Sequence, residues 1–269
     1  MLGAPLDIDD PRLRDDRLIE RLSTQIGPWL ARYFRADVRG LENLPAGAAL
    51  LVGNHSGGMA TPDSFTLGAA ICARHGVAHV PYGLAHQAAI KAPGINPLLV
   101  RLGGVRACHE NAGKVFALGR KVLVYPGGDV DAYRPWGRRD QVVFGGRRGY
   151  IRLALRHGVP VVPVVSDGGH AVFRVLSDGR RLARWLRVDR TFRLKVLPVT
   201  LSVPWGLTVG PVMPLPPPVR ITTVLLPPVA FDRAGAQAAA DDAYVAACAQ
   251  RVEGLMQATL ARLAAERRG

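Results

Sequence analysis

Short apolar runs alternate with longer amphipathic stretches between residues 48 and 165, and this alternation limits the possible folds more than any other feature. The runs 48–52 and 159–165 have the length and the β-branched content of buried strands. The segments 62–74 and 147–157 have the apolar spacing of helices. Strands that alternate with helices favour a parallel sheet covered on both faces. We therefore predict an α/β fold with a mostly parallel central sheet flanked by helices.

The same reasoning places the other elements. Between residues 77 and 125 it predicts strands at 77–82, 104–107 and 121–125 and helical segments at 84–102 (broken at Pro93-Gly94 and Pro97) and 112–119. Residues 196–230 contain nine prolines and little charge, which indicates extended segments with a late strand at 219–226. In parallel sheets of this kind the functional groups gather beyond the carboxyl ends of the strands.

Amphipathic helices are predicted at both ends of the chain. The first is interrupted by Pro28, because proline cannot donate the hydrogen bond that a helix interior needs. The last covers 238–266, with Val245, Val252, Met256 and Leu260 on one stripe. We predict a helical segment at 1–40 and an α/β domain at 41–269.

The net charge of +14 is concentrated in one part of the chain. Residues 101–200 contain 20 Lys/Arg and 7 Asp/Glu, a net charge of +13, and the rest has a net charge of +1. Such a concentration indicates an anionic partner, which could be phospholipid headgroups, a phosphorylated cofactor or nucleic acid. Aromatic residues make up only 6% of the chain, which argues against nucleic acid bound by stacking. The alternative explanation of the charge is that the proteins of the source organism are generally basic.

The cysteines and the chain ends bear on the compartment. The chain has three cysteines, an odd number without metal-ligand spacing, so we expect a reduced cytoplasmic protein without a metal. Residues 1–16 are acidic and lack the apolar core of a signal peptide. No apolar stretch reaches the ~20 residues of a membrane-spanning helix. If the protein meets a membrane, we expect it to lie on the inner face.

The loop after the first predicted strand carries the most reactive side chains. His55 follows that strand, Thr61-Pro62 marks the start of the next helix, and Asp63 lies in its first turn. A carboxylate bonded to one imidazole nitrogen fixes the tautomer and leaves the other nitrogen as a base. We therefore predict that His55 and Asp63 form a dyad, within hydrogen-bond reach or one water apart. The alternative is a surface histidine and an aspartate that interacts with the helix dipole.

Three further segments form a series with this loop. They are Gly103-Gly104-Val105-Arg106, then Tyr125-Pro126-Gly127-Gly128 with Asp129 and Asp131, and then Arg147-Arg148 leading to the apolar run 159–165. Together with Asn54-His55, the series resembles the glycerolipid acyltransferase superfamily of lysophosphatidate-acyltransferase-like enzymes. The second of these segments corresponds to the superfamily's Phe-Pro-Glu-Gly motif. The resemblance covers residues 48–170.

Two departures from the superfamily pattern bear on the substrate. The first motif usually has four residues between His and Asp, whereas here position 60 is Ala and Asp63 lies eight positions after His55. Gly127 occupies the place where Glu is usual. The Asn-His-Ser-Gly-Gly opening resembles the branch near the diacylglycerol acyltransferases, which implies a neutral lipid or long-chain alcohol as acceptor. Arg106, however, lies near the superfamily's phosphate-binding arginine.

The resemblance implies O-acyl transfer from acyl-CoA or acyl-carrier protein to a hydroxyl of a glycerolipid or another lipid alcohol, without a permanently bound cofactor. His55 would be the base and Asp63 would orient it. Backbone N–H groups of Gly127 and Gly128 would stabilise the oxyanion, and an aspartate of that loop such as Asp131 would accept a hydrogen bond from the acceptor. The candidate anion-binding residues are Arg106, Arg134, Arg147 and Arg148.

The expected partners are a lipid acceptor and an anionic membrane surface, with apolar residues near Trp205 or Trp29 assisting, and no nucleic acid. Other enzyme classes fit less well. A serine hydrolase needs Gly-x-Ser-x-Gly and a phosphate-binding loop needs Gly-x-x-x-x-Gly-Lys, and neither motif occurs. A non-catalytic lipid- or membrane-binding relative stays open as the alternative.

Overall fold

A computed structural model describes residues 5–56, 58, 61–92, 94–172, 174–179, 197–210 and 215–269. Within these ranges the helices are α1 Asp16–Gln25, α2 Gly27–Tyr33, α3 Pro62–His75, α4 Gln87–Ile90, α5 Asn96–Arg101, α6 His109–Ala117, α7 Gly128–Ala132, α8 Gly149–His157, α9 Ala236–Ala240 and α10 Asp242–Arg268. The strands are β1 Asp37–Arg39, β2 Leu50–Gly53, β3 Tyr82–Ala85, β4 Gly104–Arg106, β5 Val122–Val124, β6 Val161–Asp167, β7 Arg174–Ser177, β8 Val199–Ser202, β9 Gly206–Val209 and β10 Thr222–Leu225.

The main sheet has seven strands in the order β1-β10-β6-β2-β5-β3-β4. The five strands from β6 to β4 are parallel, whereas β10 runs antiparallel to β6 and β1 runs parallel to β10. The predicted α/β fold with a mostly parallel sheet is confirmed. The carboxyl ends of β2, β3, β4 and β5 therefore lie at one edge, where the loops that follow them come together.

The core lies on both faces of this sheet, because successive side chains of a strand point to opposite sides. Leu50 and Val52 of β2 pack on one face with side chains of α6, α8 and α10. Leu51 packs on the other face with side chains of α1 and α3. All four residues of β2 are buried, so this central strand fixes the position of the loop that follows it.

The terminal helices pack onto the domain. The N-terminal helical region is divided at Ile26, and Pro28 lies in the first turn of α2, where its missing N–H costs little. Strand β1 of the predicted segment 1–40 pairs with β10 and so continues directly into the main sheet. At the other end, the predicted stripe Val245, Val252, Met256 and Leu260 of α10 is fully buried. Among the described residues, each helix is too short or too polar to cross a membrane.

The prediction of a strand at 77–82 is wrong. Residues Val77–His79 form a 3-10 turn, and the strand begins only at Tyr82. The Arg14 guanidinium holds this turn, because it donates to the carbonyls of Val80 at 2.7 Å and Val77 at 2.8 Å. A short apolar run does not distinguish a strand from a buried turn, so a contact from a distant residue decided its structure.

A second, smaller sheet contains β7, β8 and β9, all antiparallel, and this sheet was not predicted as a separate unit. The extended segments expected in the proline-rich region correspond to β8 and β9, and the late strand corresponds to β10. The Arg-rich residues 180–196 of the basic stretch and residues 211–214 of the proline-rich stretch lie outside the described residues.

Candidate active site

Two buried side chains fix the backbone at Asn54 and His55. Asn54, just after β2, exchanges two hydrogen bonds of 2.8 Å with the backbone N–H and C=O of Ser166 on β6. The N–H of His55 donates to Oδ2 of Asp131 at 2.5 Å. The end of β2 is thus joined to β6 on one side and to the loop after β5 on the other. This joins the two loops that the sequence singled out.

The imidazole of His55 packs against Tyr125, with ring centroids 4.5 Å apart. Tyr125 reaches this position because Gly53 has no side chain: a Cβ there would lie 2.5 Å from Cε1 of Tyr125. The Tyr125 hydroxyl is 2.5 Å from Oγ of Ser64, which fixes the ring from the other end. Tyr125 therefore orients the imidazole by packing against it.

Asp63 is buried in the first turn of α3, where the Ser56 hydroxyl donates to its Oδ2 at 3.0 Å. Burial raises the pKa of Asp63 to about 7, although the hydrogen bonds from Ser56 and Ser64 act in the opposite direction. Burial also lowers the pKa of His55 to about 4, with a smaller contribution from the Arg134 cation. The imidazole is therefore neutral near pH 7, as a base must be before it takes a proton.

The His55 and Asp63 side chains are not joined by a hydrogen bond, so the dyad stays a prediction. Each has one buried atom without a hydrogen-bond partner among the described residues, Nδ1 of His55 and Oδ1 of Asp63. An imidazole N–H and a carboxylate oxygen are complementary, and buried polar atoms are seldom left unpaired. Ser56, the neighbour of His55, already contacts the same carboxylate.

The Gly127-Gly128 turn follows β5 at the same edge. The Gly128 N–H donates to the Tyr125 carbonyl at 3.1 Å and so closes the turn. The Gly127 N–H makes no hydrogen bond to any described residue, which leaves it as the available donor of the predicted pair. A Cβ at Gly127 would lie 2.2 Å from Cβ of Asp131 and 2.4 Å from the Val143 carbonyl. The loop therefore has no room for the glutamate that is usual in the superfamily.

Asp131 and Arg134 have roles that differ from those predicted. Both side chains are buried and form an ion pair, and Asp131 also accepts hydrogen bonds from the N–H groups of His55 and Val143. The Arg134 guanidinium contacts the His55 carbonyl at 3.2 Å and Nε2 of His170 at 2.5 Å. Asp131 is thus occupied and does not face an acceptor, and Arg134 is not open to an external anion. Both are positioning residues for His55.

The other candidate anion-binding arginines differ in exposure. Arg147 donates to the carbonyls of Pro126 at 3.2 Å and Gly127 at 2.7 Å and pairs with Asp129 at 2.9 Å, so it holds the glycine turn together. Arg148, just before α8, is exposed and stays a candidate for anion binding.

Arg106, at the end of β4, forms a bidentate ion pair with Asp9, with N–O distances of 2.7 and 2.9 Å. Asn111 donates to the same carboxylate at 2.6 Å. These contacts lower the pKa of Asp9, the Arg106 hydrogen bond contributing most. A cavity of about 450 Å³ lies beside the pair and is lined by residues 5–9, Gln87, Lys91, Asn96 and Arg106. The chain's own N-terminal segment thus supplies an anion to Arg106.

Four residues of this region were given no role from the sequence. Ser56 and Tyr125 are neighbours of the predicted residues, so their positions in the motifs were the available signal. Asp9 and His170 lie 97 and 36 residues from their arginine partners, Arg106 and Arg134. Pairing over such separations has no local pattern, and only the folded chain reveals it.

Three comparisons with known proteins agree with this architecture. A family model described as Acyltransferase matches residues 35–167. An uncharacterized protein of Mycobacterium tuberculosis is 30% identical over 237 residues, covering 88% of this chain and 63% of that one. The mouse (Mus musculus) DGAT1/2-independent enzyme synthesizing storage lipids is 27% identical over 150 residues, covering 56% of this chain and 44% of that protein. Human (Homo sapiens) diacylglycerol O-acyltransferase 2 is 29% identical over 70 residues, 26% of this chain and 18% of that enzyme.

The fold is also found in a solved structure. The crystal structure of the 1-acyl-sn-glycerophosphate (LPA) acyltransferase PlsC from Thermotoga maritima matches with a TM-score of 0.56 at 18% identity, covering 93% of this chain and 80% of that one. This chain spans less than two thirds of the length of the mycobacterial relative. The order of the motifs, the parallel sheet and the matched family model lead to one conclusion: the chain belongs to the glycerolipid acyltransferase superfamily.

Proposed function

We propose that this protein transfers a fatty acyl group from acyl-CoA or acyl-carrier protein to the hydroxyl of a neutral lipid. The observation that carries the proposal is the position of His55. Its neutral imidazole is partly exposed and packs against Tyr125, the residue at the start of the glycine turn. The buried Asp63 side chain lies in the first turn of the helix that follows His55, bonded to the neighbouring Ser56. This is the environment that general-base catalysis of acyl transfer needs.

The chemistry follows from these groups. An imidazole nitrogen of His55 takes the proton of the acceptor hydroxyl while the hydroxyl oxygen attacks the thioester carbonyl carbon. The carbon–oxygen bond forms, the carbon–sulfur bond breaks, and the leaving thiolate takes the proton from the imidazolium. Asp63 stabilises that imidazolium once the two side chains pair, because catalytic hydrogen bonds often form fully only with substrate bound. The protein needs no nucleophile of its own, since the thioester arrives activated.

The oxyanion needs donors as the carbonyl carbon becomes tetrahedral. The Gly127 N–H is the candidate, because Gly128 already bonds the Tyr125 carbonyl. Arg147 supports this role by holding the turn through two of its carbonyls. Exposed Arg148 is the candidate contact for the phosphates of the donor.

A neutral acceptor is favoured by the charges at the end of β4. Arg106 lies near the place of the superfamily's phosphate-binding arginine, but Asp9 already neutralises it with two hydrogen bonds. A phosphate entering the cavity would have to displace a bidentate carboxylate, and Asp7 also lines the cavity wall. The names of two relatives, which refer to storage lipids and to diacylglycerol, point in the same direction.

The test is a competition assay with purified protein, one labelled acyl-CoA, and equal amounts of diacylglycerol and lysophosphatidate in mixed micelles. We expect acylated diacylglycerol as the main product. His55→Ala should remove the activity, whereas His157→Ala, a histidine at the other end of the domain on α8, should not. Faster acylation of lysophosphatidate would reject the neutral acceptor. Absence of turnover with either acceptor, in this assay and in a repeat with acyl-carrier protein as the donor, would favour the non-catalytic lipid-binding alternative.

A further inference from the structure

The small sheet has one buried face and one exposed face. Thr200 and Ser202 of β8 point inward, and Thr200 shares a hydrogen bond of 2.9 Å with Thr208 of β9. Leu201, between them, points outward and lies opposite Leu207 of β9. The half-buried Val199 lies opposite the exposed Val209. The usual arrangement is inverted here, because the polar residues face the protein and the apolar residues face solvent.

This outer face concentrates the exposed apolar surface of the described residues. Of the fourteen large hydrophobic side chains that are exposed there, seven belong to the small sheet and the chain beside it. Their exposed fractions run from 46% to 66%, and they are Leu176, Leu201, Val203, Trp205, Leu207, Val209 and Leu215. Scattered apolar residues are ordinary on a protein surface, but a contiguous group of this kind marks an interaction site.

A second aromatic group borders the same surface. The N–H of Leu215 donates to the Val203 carbonyl at 3.0 Å, and the Tyr33 hydroxyl donates to the Pro216 carbonyl at 2.8 Å. Tyr33 stacks on Trp29, whose side chain is exposed. Helix α2 is therefore linked to the turn between β8 and β9. Tryptophan and tyrosine favour the boundary between hydrocarbon and water.

The charge of the chain segment that contains the small sheet indicates what kind of partner fits. Residues 174–220 contain nine Lys/Arg and two Asp/Glu, a net charge of +7, which is half of the net charge of the whole chain. Among the described residues, Arg174 lies opposite Leu201 on the sheet and Arg220 is exposed. An anionic bilayer offers negative headgroups above an apolar interior and matches both features. Nucleic acid would match only the charge.

We propose that the outer face of the small sheet, made of β7, β8 and β9, is the surface by which this protein docks on an anionic membrane. Leu207, Val209 and Trp205 enter the boundary between headgroups and acyl chains, and the arginines contact the headgroups. The proposal concerns binding and stands apart from the proposed acyl transfer.

Docking in this orientation would also bring the candidate site close to lipid. A groove of about 440 Å³ lies beside the sheet, lined mainly by apolar residues that include Val172, Leu201 and Pro217. Val172 belongs to the same 3-10 turn as His170, which contacts Arg134 behind His55. The groove is therefore lined both by the docking face, through Leu201, and by the 3-10 turn that contains His170.

The test compares Leu207→Asp with Leu118→Asp in the full chain. Leu207 is 65% exposed on strand β9 of the docking face, and Leu118 is 51% exposed at the end of α6, outside it. Both variants should keep the wild-type circular dichroism, because neither side chain is buried. In co-sedimentation with phosphatidylcholine vesicles containing phosphatidylglycerol, we expect Leu207→Asp to weaken binding at least tenfold and Leu118→Asp by less than twofold.

Binding should also fall as salt rises and as phosphatidylglycerol is removed. Equal binding by the two variants would overturn the proposal, and so would wild-type binding that ignores lipid charge. If Leu207→Asp fails to fold, Trp205→Ser at the turn takes its place with the same expectation. The wild type could instead form a concentration-dependent dimer that Leu207→Asp dissociates while vesicle binding stays unchanged. That result would assign this face to a second copy of the chain and reject membrane docking.

Discussion

The two sheets of this protein differ in how their faces are buried. The main sheet is covered on both faces, and even the polar residues at its carboxyl edge, such as Asn54 and Asp131, are buried and bonded. Only one face of the small sheet is covered by the rest of the protein, and Leu201, Leu207 and Val209 on the other face are exposed to solvent. The difference indicates a division of labour, in which the main sheet positions the reacting groups and the small sheet contacts a surface. Each variant below is expected to affect one sheet without the other.

His55→Ala should have the largest effect on activity. Removal of the base should lower kcat by roughly a thousandfold or more, since the remaining catalysis comes from binding and the oxyanion donor. Vesicle binding should equal that of the wild type, because His55 lies in the loop after β2 of the main sheet and not on the docking face. Steady-state kinetics and co-sedimentation on the same preparation check both. Loss of the two properties together would contradict the division between the sheets.

Asp131→Ala should have the largest effect on stability. It leaves the buried Arg134 guanidinium without its carboxylate, which costs about 3–5 kcal/mol in the free energy of unfolding. Urea denaturation followed by fluorescence measures this change. The matched variant on the small sheet, Leu207→Ala, removes an exposed side chain and should change the free energy of unfolding by less than about 0.5 kcal/mol.

Asp63→Asn should lower activity roughly a hundredfold, because asparagine cannot stabilise the imidazolium. It should also raise stability at alkaline pH. Burial raises the pKa of Asp63 from 3.8 to about 7, so ionisation of the carboxyl weakens the folded state progressively as pH rises between these two values. Above pH 7 the variant should be more stable than wild type by on the order of 4 kcal/mol, and near pH 4 the advantage should vanish.

The kcat/KM of the wild type should rise with pH through about 7 as Asp63 ionises. Asp63→Asn should lack this limb. A pH profile of kcat/KM for both proteins, with thermal melting at pH 4 and pH 8, measures the two effects. A wild-type profile that is flat between pH 6 and pH 8 would remove Asp63 from the reaction.

Asp9→Asn should have the smallest effect, a change of preference at the far end of the main sheet. Without the carboxylate, Arg106 becomes free for an external anion. The rate ratio of lysophosphatidate to diacylglycerol should rise about tenfold, equivalent to about 1.4 kcal/mol. Asp10→Asn is the control, because Asp10 pairs with Arg12 at the surface. An unchanged ratio would mean that Arg106 does not contact the acceptor.

Local sequence determined much of the main sheet. Residues 48–52 and 159–165 are apolar runs of strand length, and they became β2 and β6 within two residues of the predicted bounds. Thr61-Pro62 and Gly158 marked a helix start and a helix end that the structure keeps. Such signals are readable because backbone preferences and the spacing of apolar residues act over a few positions. The loops with His55 and Gly127 follow from the same rules.

Tertiary structure decided which charges are available and which faces are covered. Arg106 and Arg134 look alike in the sequence. In the structure, Arg106 is neutralised by Asp9, which lies 97 residues away in the chain, and Arg134 is buried in an ion pair with Asp131. The alternation in β8 fixes that Leu201 and Thr200 point to opposite sides, but not which side the protein covers. A strand's period of two is local, whereas burial depends on what the rest of the chain places against it.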